Sequence, residues 1–298
     1  MNFFKLLDQL KKKESALILY CLLERIPIFV FGEDVDQIND FLIELTDLIH
    51  FRKEFVYGTE FVSIAEYMDL VQNEDIDYNS QRVQIRCSSE VSLKALEKFE
   101  TFKSWIISVN TPKEKNDLHN VKNLIRKKVP IFLIINFSKI GVSIELEGQN
   151  HKEFDLTLEQ NILQKISKDT ENSIIRMKRI LSDNIKLKKI DENLIQTLLD
   201  FELEKNELKK NILKEEIQKF YSGSKRAFFI LSRLNLLYNL KIDVNIGSNT
   251  ILETIDFDEA PINRIISFIN YEWGVNYANL IANNSKVLFV DKIHSLWG

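Results

Sequence analysis

The apolar positions of this chain change period along its length. Residues 3–24 read as helix with a break at KKKES, near 11–15. Phe3, Phe4, Leu7 and Leu10 mark one face, and Leu19, Leu22 and Leu23 extend the apolar side. Ile26–Phe31 is apolar on both faces, as a buried parallel strand requires, with Pro27 at its start where a missing N–H is tolerated. After Gly32, apolar residues recur at Ile38, Phe41, Leu42, Leu45, Leu48 and Ile49, the spacing of an amphipathic helix. Asp34 or Asp36 suits its N-cap. The same reading gives strands over Phe51–Phe61, Gln81–Cys87, Trp105–Val109 and Val129–Phe137. Helices fall over Val62–Val71, Leu93–Phe102 and Lys113–Lys128, the last with Leu118, Val121, Leu124 and Ile125 inward. Val142–Glu147 is a hairpin partner for the strand before it. Strands alternating with helices predict an α/β fold with a mainly parallel, doubly wound, Rossmann-like sheet.

The pattern shifts near Gly148–Asp155. Residues 157–240 read as helix throughout, with one long helix near 192–221, Gly223 as its C-cap, and a second helix over Arg226–Leu240. The remainder reads as strands at Ile242–Ile246, Thr250–Phe257 and Lys286–Val290 around a helix at Ile262–Trp273. We therefore expect an α/β sheet domain over 1–150, a helical region over 157–240 and a small α+β tail over 241–298. RIPIFVF at 25–31 and KVPIFLI at 128–134 echo one another, as two buried strands with a leading proline would.

Composition narrows the function classes. With 8 Gly and 4 Pro in 298 residues, against about 20 and about 15 for ordinary usage, the chain has little material for glycine-rich loops. A net charge of −4 argues against a general nucleic-acid or anionic-membrane binder, while leaving local basic patches open. Cys21 and Cys87 sit in apolar or strand-like sequence, suiting buried thiols and a reducing compartment. The first residues lack a signal-peptide core, and no apolar run reaches the ~18 residues of a membrane span. We expect a cytoplasmic protein that does not enter a membrane.

Candidate chemistry is sparse. The strand–glycine–helix corner at 26–50 has the layout of a nucleotide-binding unit without a phosphate loop. Glu33, Asp34 and Asp36 stand where backbone amides would cradle phosphate, and they repel an anion. These three form one Mg²⁺ candidate; Asp256, Asp258 and Glu259 form another. Both groups precede a helix, where carboxylates also serve as caps. His50, His119, His151 and His294 lack metal-ligand spacing, and no nucleophile elbow occurs. SGSKR at 222–226 follows a helix rather than a strand, the wrong context for a phosphate loop. No catalytic residue and no cofactor is assigned.

The helical region carries more apolar residues than one stripe can bury. Ile174, Ile175, Met177, Ile180 and Leu181 spread around one helix, and Leu194, Ile195, Leu198 and Leu199 around the next. Such helices are enclosed by their own domain or covered by another chain. Lys165–Lys189 holds eight Lys/Arg and three Asp/Glu, whereas Asp191–Glu207 holds six acidic residues and one Lys. No aromatic side chain lies in the basic block for stacking on bases.

LLER at 22–25, the apolar strand, the short Asp-containing turn, the Leu-rich helix, Phe51 and FVYG at 55–58 resemble the opening of the central module of DENN domains. The resemblance covers residues 3–71 and departs from the family at His50 and Lys53, where proline and tryptophan are usual. It implies a non-catalytic protein acting on Rab-type small GTPases. The leading expectation is a non-enzymatic, regulatory protein-interaction role, with a protein partner, a small GTPase among the choices, or self-association. Two alternatives stay open: an Mg²⁺-dependent α/β enzyme or nucleotide binder using the strand-end carboxylates, and a nucleic-acid accessory protein using the 165–189 basic face. Negative charge and the absence of interleaved aromatics weigh against nucleic acid.

Overall fold

The computed structural model describes residues 3–58, 82–97, 104–111, 115–138, 141–148, 154–188, 202–242 and 244–282, side chains at 97, 115–118, 181–188 and 202–204 excepted. The expected helix at Val62–Val71 and strand at Lys286–Val290 lie outside the described residues.

Helices α1 (Phe3–Gln9) and α2 (Lys12–Leu23) are separated at Leu10 and Lys11, where the Lys11 N–H donates to the Glu14 carboxylate at 2.9 Å. The KKKES break of the sequence thus closes into the first turn of α2. Strand β1 (Ile28–Gly32) leads to α3 (Val35–Asp47), then β2 (Lys53–Tyr57) and β3 (Val83–Cys87). Helix α4 (Ser92–Glu97), β4 (Trp105–Asn110), α5 (Lys115–Lys128), β5 (Ile131–Ser138) and β6 (Gly141–Gly148) complete the sheet region.

The sheet has six strands in the order β2-β3-β4-β1-β5-β6. Every neighbouring pair is parallel except the β5–β6 hairpin. The two echoing segments lie side by side: the Leu133 N–H donates to the Pro27 carbonyl at 2.9 Å, and the Phe29 and Phe132 rings meet edge-to-face at 5.5 Å.

Side chains along β1 alternate between two cores, as a pleated strand requires. Ile28 and Val30 pack with Ile38, Phe41, Leu42 and Leu45 of α3. Phe29 and Phe31 pack with Ala95 and Leu96 of α4 and Ile125 of α5. Phe29, Phe31, Phe41, Leu45, Phe132 and Ile134 are all buried, as their placement in the sequence requires. One expectation fails on α5: Leu124 is exposed, because Ile125 and the half-buried Val121 already supply its inward edge.

The rest of the chain builds on the Ile28/Val30 face. Helices α6 (Thr157–Lys188) and α7 (Glu202–Asn239) bury Leu158, Ile162, Ile166, Leu213, Ile217, Phe220 and Phe228 in the same core as the sheet. At 1.5 Å per residue, α7 is about 57 Å long. It does not stop at Gly223. The helix runs on because Gly223 is the point where Phe257 presses against it: a Cβ there would lie 2.9 Å from the Phe257 ring carbon Cγ. Sequence gave this glycine a capping role, whereas tertiary packing uses its missing side chain. Thr250–Phe257 is likewise no strand. Ser248–Ile255 forms helix α8, with Ile251 and Ile255 buried one turn apart. Only Ile246–Gly247 (β7) is extended here, paired with Ile281–Ala282 (β8). Helix α9 (Ile262–Trp273) buries Ile265, Phe268 and Ile269.

Candidate functional site

The strand–helix corner is built as a cap. Asp34 is the N-cap of α3, and its Oδ1 accepts the Gln37 N–H at 3.1 Å. Glu33, Asp34 and Asp36 are all exposed. Gly32 faces the protein interior: a Cβ there would meet Phe137 at 3.4 Å and Ile38 at 3.6 Å. An anion arriving at this helix start would compete with the Asp34 carboxylate for the Gln37 N–H and meet three negative charges.

The second acidic group stays together. Asp256 ends α8 in the left-handed region, with φ 51°. Asp256, Asp258 and Glu259 all line a shallow cavity of about 350 Å³ together with Gln218, Lys219, Ser222 and Arg226. Its negative charge is met by cations: Lys165 Nζ lies 2.7 Å from Glu216 and 3.3 Å from Glu259, and Lys219 lies 2.6 Å from Glu216. Among the described residues, no three His, Cys, Asp or Glu side chains are grouped to hold a metal ion. The cysteines are poor nucleophiles, since both are buried and burial pushes their thiols up, Cys87 to about 12.

Two groups of charged side chains lie inside the protein, the first at the amino ends of the strands. Arg52, just before β2, is completely enclosed. Its Nη2 and Nε donate to Glu272 Oε2 at 2.7 and 3.0 Å, and its remaining donors reach the carbonyls of Leu22 and Leu23, each at 2.8 Å, and Gln84 Oε1 at 3.2 Å. Gln84 is held in turn by Ser104, whose Oγ donates to Gln84 Oε1 at 2.5 Å. Arg25 adopts φ 58° and reaches the Val83 carbonyl at 3.1 Å. A second group joins α2, α6 and α9. The Arg264 guanidinium pairs with Glu24 and, at 2.6 Å, with Glu159, and sits 4.7 Å from the Tyr20 ring. Ser267 Oγ donates to Glu24 at 2.9 Å.

Burial pushes Glu159 up to about 8, and burial also lowers Arg264 to about 10. Two carboxylates share one guanidinium there, so a proton held by Glu159 leaves the group neutral. These residues join the tail helix α9 to the sheet. They lie at the opposite end of the strands from the carboxyl-end crevice where open α/β sheets take ligands, and we assign them a structural role. The sequence signal for them is the charged pair in LLER and the lone Arg264 and Glu272 on an otherwise uncharged helix.

The proposed interface residues are only partly brought together. Helix α6 is buried at Leu158, Ile162, Ile166 and Thr170, each four residues from the last. Ile174 and Met177 continue that line and are half-buried. Ile175 and Ile180 lie off it and are 65% and 51% exposed. Between them stand Arg176, Lys178 and Arg179, also exposed. The Leu181 side chain and the whole of Leu194, Ile195, Leu198 and Leu199 lie outside the described residues. No helix among the described residues is long and apolar enough to cross a membrane.

No protein-family model, curated protein or solved structure matches this chain.

Proposed function

We propose that this is a non-enzymatic, cytoplasmic interaction protein that binds a protein partner, or a second copy of itself, through the outer half of α6. One observation carries the reading: beyond Thr170 no described side chain of α6 is buried, yet Ile175 and Ile180 stand in water beside Arg176, Lys178 and Arg179. Apolar side chains at the end of a helical arm, flanked by three basic residues with Glu171 one turn before Ile175, suit a partner with an apolar strip and a mainly acidic rim. The charge split of the sequence, basic before residue 190 and acidic after it, adds orientation to such a contact more than affinity. The resemblance to DENN modules supplies small GTPases as the first partner class to try. A doubly wound, Rossmann-like sheet as the rigid base of the arm is part of this reading, supported by the two apolar cores that β1 feeds.

The test compares the wild-type chain with Ile175→Asp/Ile180→Asp. Light scattering over a concentration series reads self-association, and quantitative pull-down from cytoplasm, with a panel of purified small GTPases alongside, reads other partners. The double variant should lose the dimer or a specific set of captured proteins. A monomeric wild type whose captured set is unchanged by the substitutions refutes the proposal.

A further inference from the structure

A different surface carries its own signal. Residues 217–242 contain Lys219, Lys225, Arg226, Arg233 and Lys241 and no Asp or Glu. These are the second half of α7 and the three residues that follow it, and the inward side of the helix is Ala227, Phe228, Leu231 and Leu234. Turned by 100° per residue, Lys225, Arg226, Phe229, Arg233, Leu236 and Leu240 fall on the opposite side within an arc of about 100°. They form a straight outward stripe about 22 Å long. Its apolar members are far from hidden: Phe229 is 41%, Leu236 64% and Leu240 71% exposed, and Tyr238 and Ile242 extend the exposed apolar surface at the helix end. Lys225 Nζ lies 6.0 Å from the Phe229 ring centre, and Arg226 donates to the Ile255 carbonyl. Among the described residues, Arg233 and Lys241 form no ion pair. Nearer the amino end of α7, by contrast, Lys210 and Lys214 both hold Asp47 at 2.7 Å.

We propose that this stripe is a peripheral membrane-binding face that seats α7 on an anionic lipid bilayer. A second copy is disfavoured, because a two-fold contact through the stripe would set its cations against themselves. The pattern suits a planar boundary. Leu236, Leu240 and Ile242 would enter the headgroup–acyl boundary, while Lys225, Arg233 and Lys241 keep their heads at the phosphates; Arg226, at the start of the stripe, is held by the Ile255 carbonyl beside Asp256 and Asp258. The helix needs no refolding to do so, since its other side is already packed on the protein. The overall charge of −4 does not oppose this, because surface fields fall off within a Debye length and only the local patch is felt.

The experiment is co-sedimentation of the full chain with vesicles of phosphatidylcholine alone and of phosphatidylcholine mixed with phosphatidylserine. The wild type should sediment with the anionic vesicles only, and added salt should release it. Arg233→Glu/Lys241→Glu should weaken binding by at least roughly 25-fold, about fivefold for each cation removed. Leu236→Ser/Leu240→Ser should also lose binding. All four positions are exposed, and circular dichroism confirms that the fold is kept. Absence of sedimentation, equal binding to neutral vesicles, or retention of binding by either variant overturns the proposal. So does binding of polyglutamate, but not of vesicles, in a stripe-dependent manner, which would make the face a site for acidic protein.

Discussion

The buried Arg52–Glu272 pair offers the sharpest test of how the tail is held to the sheet. The two side chains come from positions 220 residues apart and are 0% and 1% exposed. Glu272→Ala would remove the carboxylate paired with the Arg52 guanidinium, leaving a buried charge whose named acceptors are the Leu22 and Leu23 carbonyls and Gln84. Breaking such a pair from one side costs about 3–5 kcal/mol. The surviving acceptors place the expected loss toward the lower end, at about 3–4 kcal/mol. Arg52→Met should cost a similar amount, because it strands Glu272 and two backbone carbonyls. The double variant leaves no unpaired charge, so it should cost less than the sum of the singles and no more than Arg52→Met alone. Urea denaturation measures this directly. With a slope of about 2–3 kcal/mol per molar, each single variant should lower the midpoint by about 1–2 M. Single losses below about 0.5 kcal/mol, the range of ordinary surface changes, or a double loss equal to the sum of the singles, would refute the reasoning.

Other consequences follow from the same packing. Glu159 has its pKa raised by burial to about 8, so the folded state favours its protonated form. The stability this confers is complete below the unfolded carboxylate value and is lost as pH rises toward about 8; Glu159→Gln should flatten that fall in urea midpoints. Phe29→Ala or Phe132→Ala removes half of a buried ring pair and should cost roughly 3–5 kcal/mol, read as a lowered melting temperature. Asp34→Ala removes the α3 cap and should cost about 1 kcal/mol. Calorimetric titration of the wild type with Mg-ATP and Mg-GTP should show no micromolar binding, because a carboxylate already caps the helix start that would face the phosphates.

What the sequence determined by itself is local. The two-sided apolar run of β1, the 3.6-residue period of α3, the Asp34 cap and the β5–β6 hairpin each follow from side chains a few residues apart. Burial of the aromatic residues at 29, 31, 41 and 132 follows from those elements. The interface residues from 174 to 180 could be named as an excess of apolar surface, but not sorted; only packing put Ile174 and Met177 on the inner line and Ile175 and Ile180 outside it. Tertiary structure also decided where a local rule had a competitor. Gly223 carries the chemistry of a helix end, yet the approach of Phe257 uses it in mid-helix. The four β-branched residues among Thr250–Ile255 suit a strand, yet Ile251 and Ile255 reach the core together only as a helix. The internal ion groups depend on contacts across 105 and 220 residues, such as Arg264 with Glu159 and Arg52 with Glu272. Periodicity reports neighbours along the chain, and a buried charge is tolerated only by neighbours across space, so those pairings were decided by the fold.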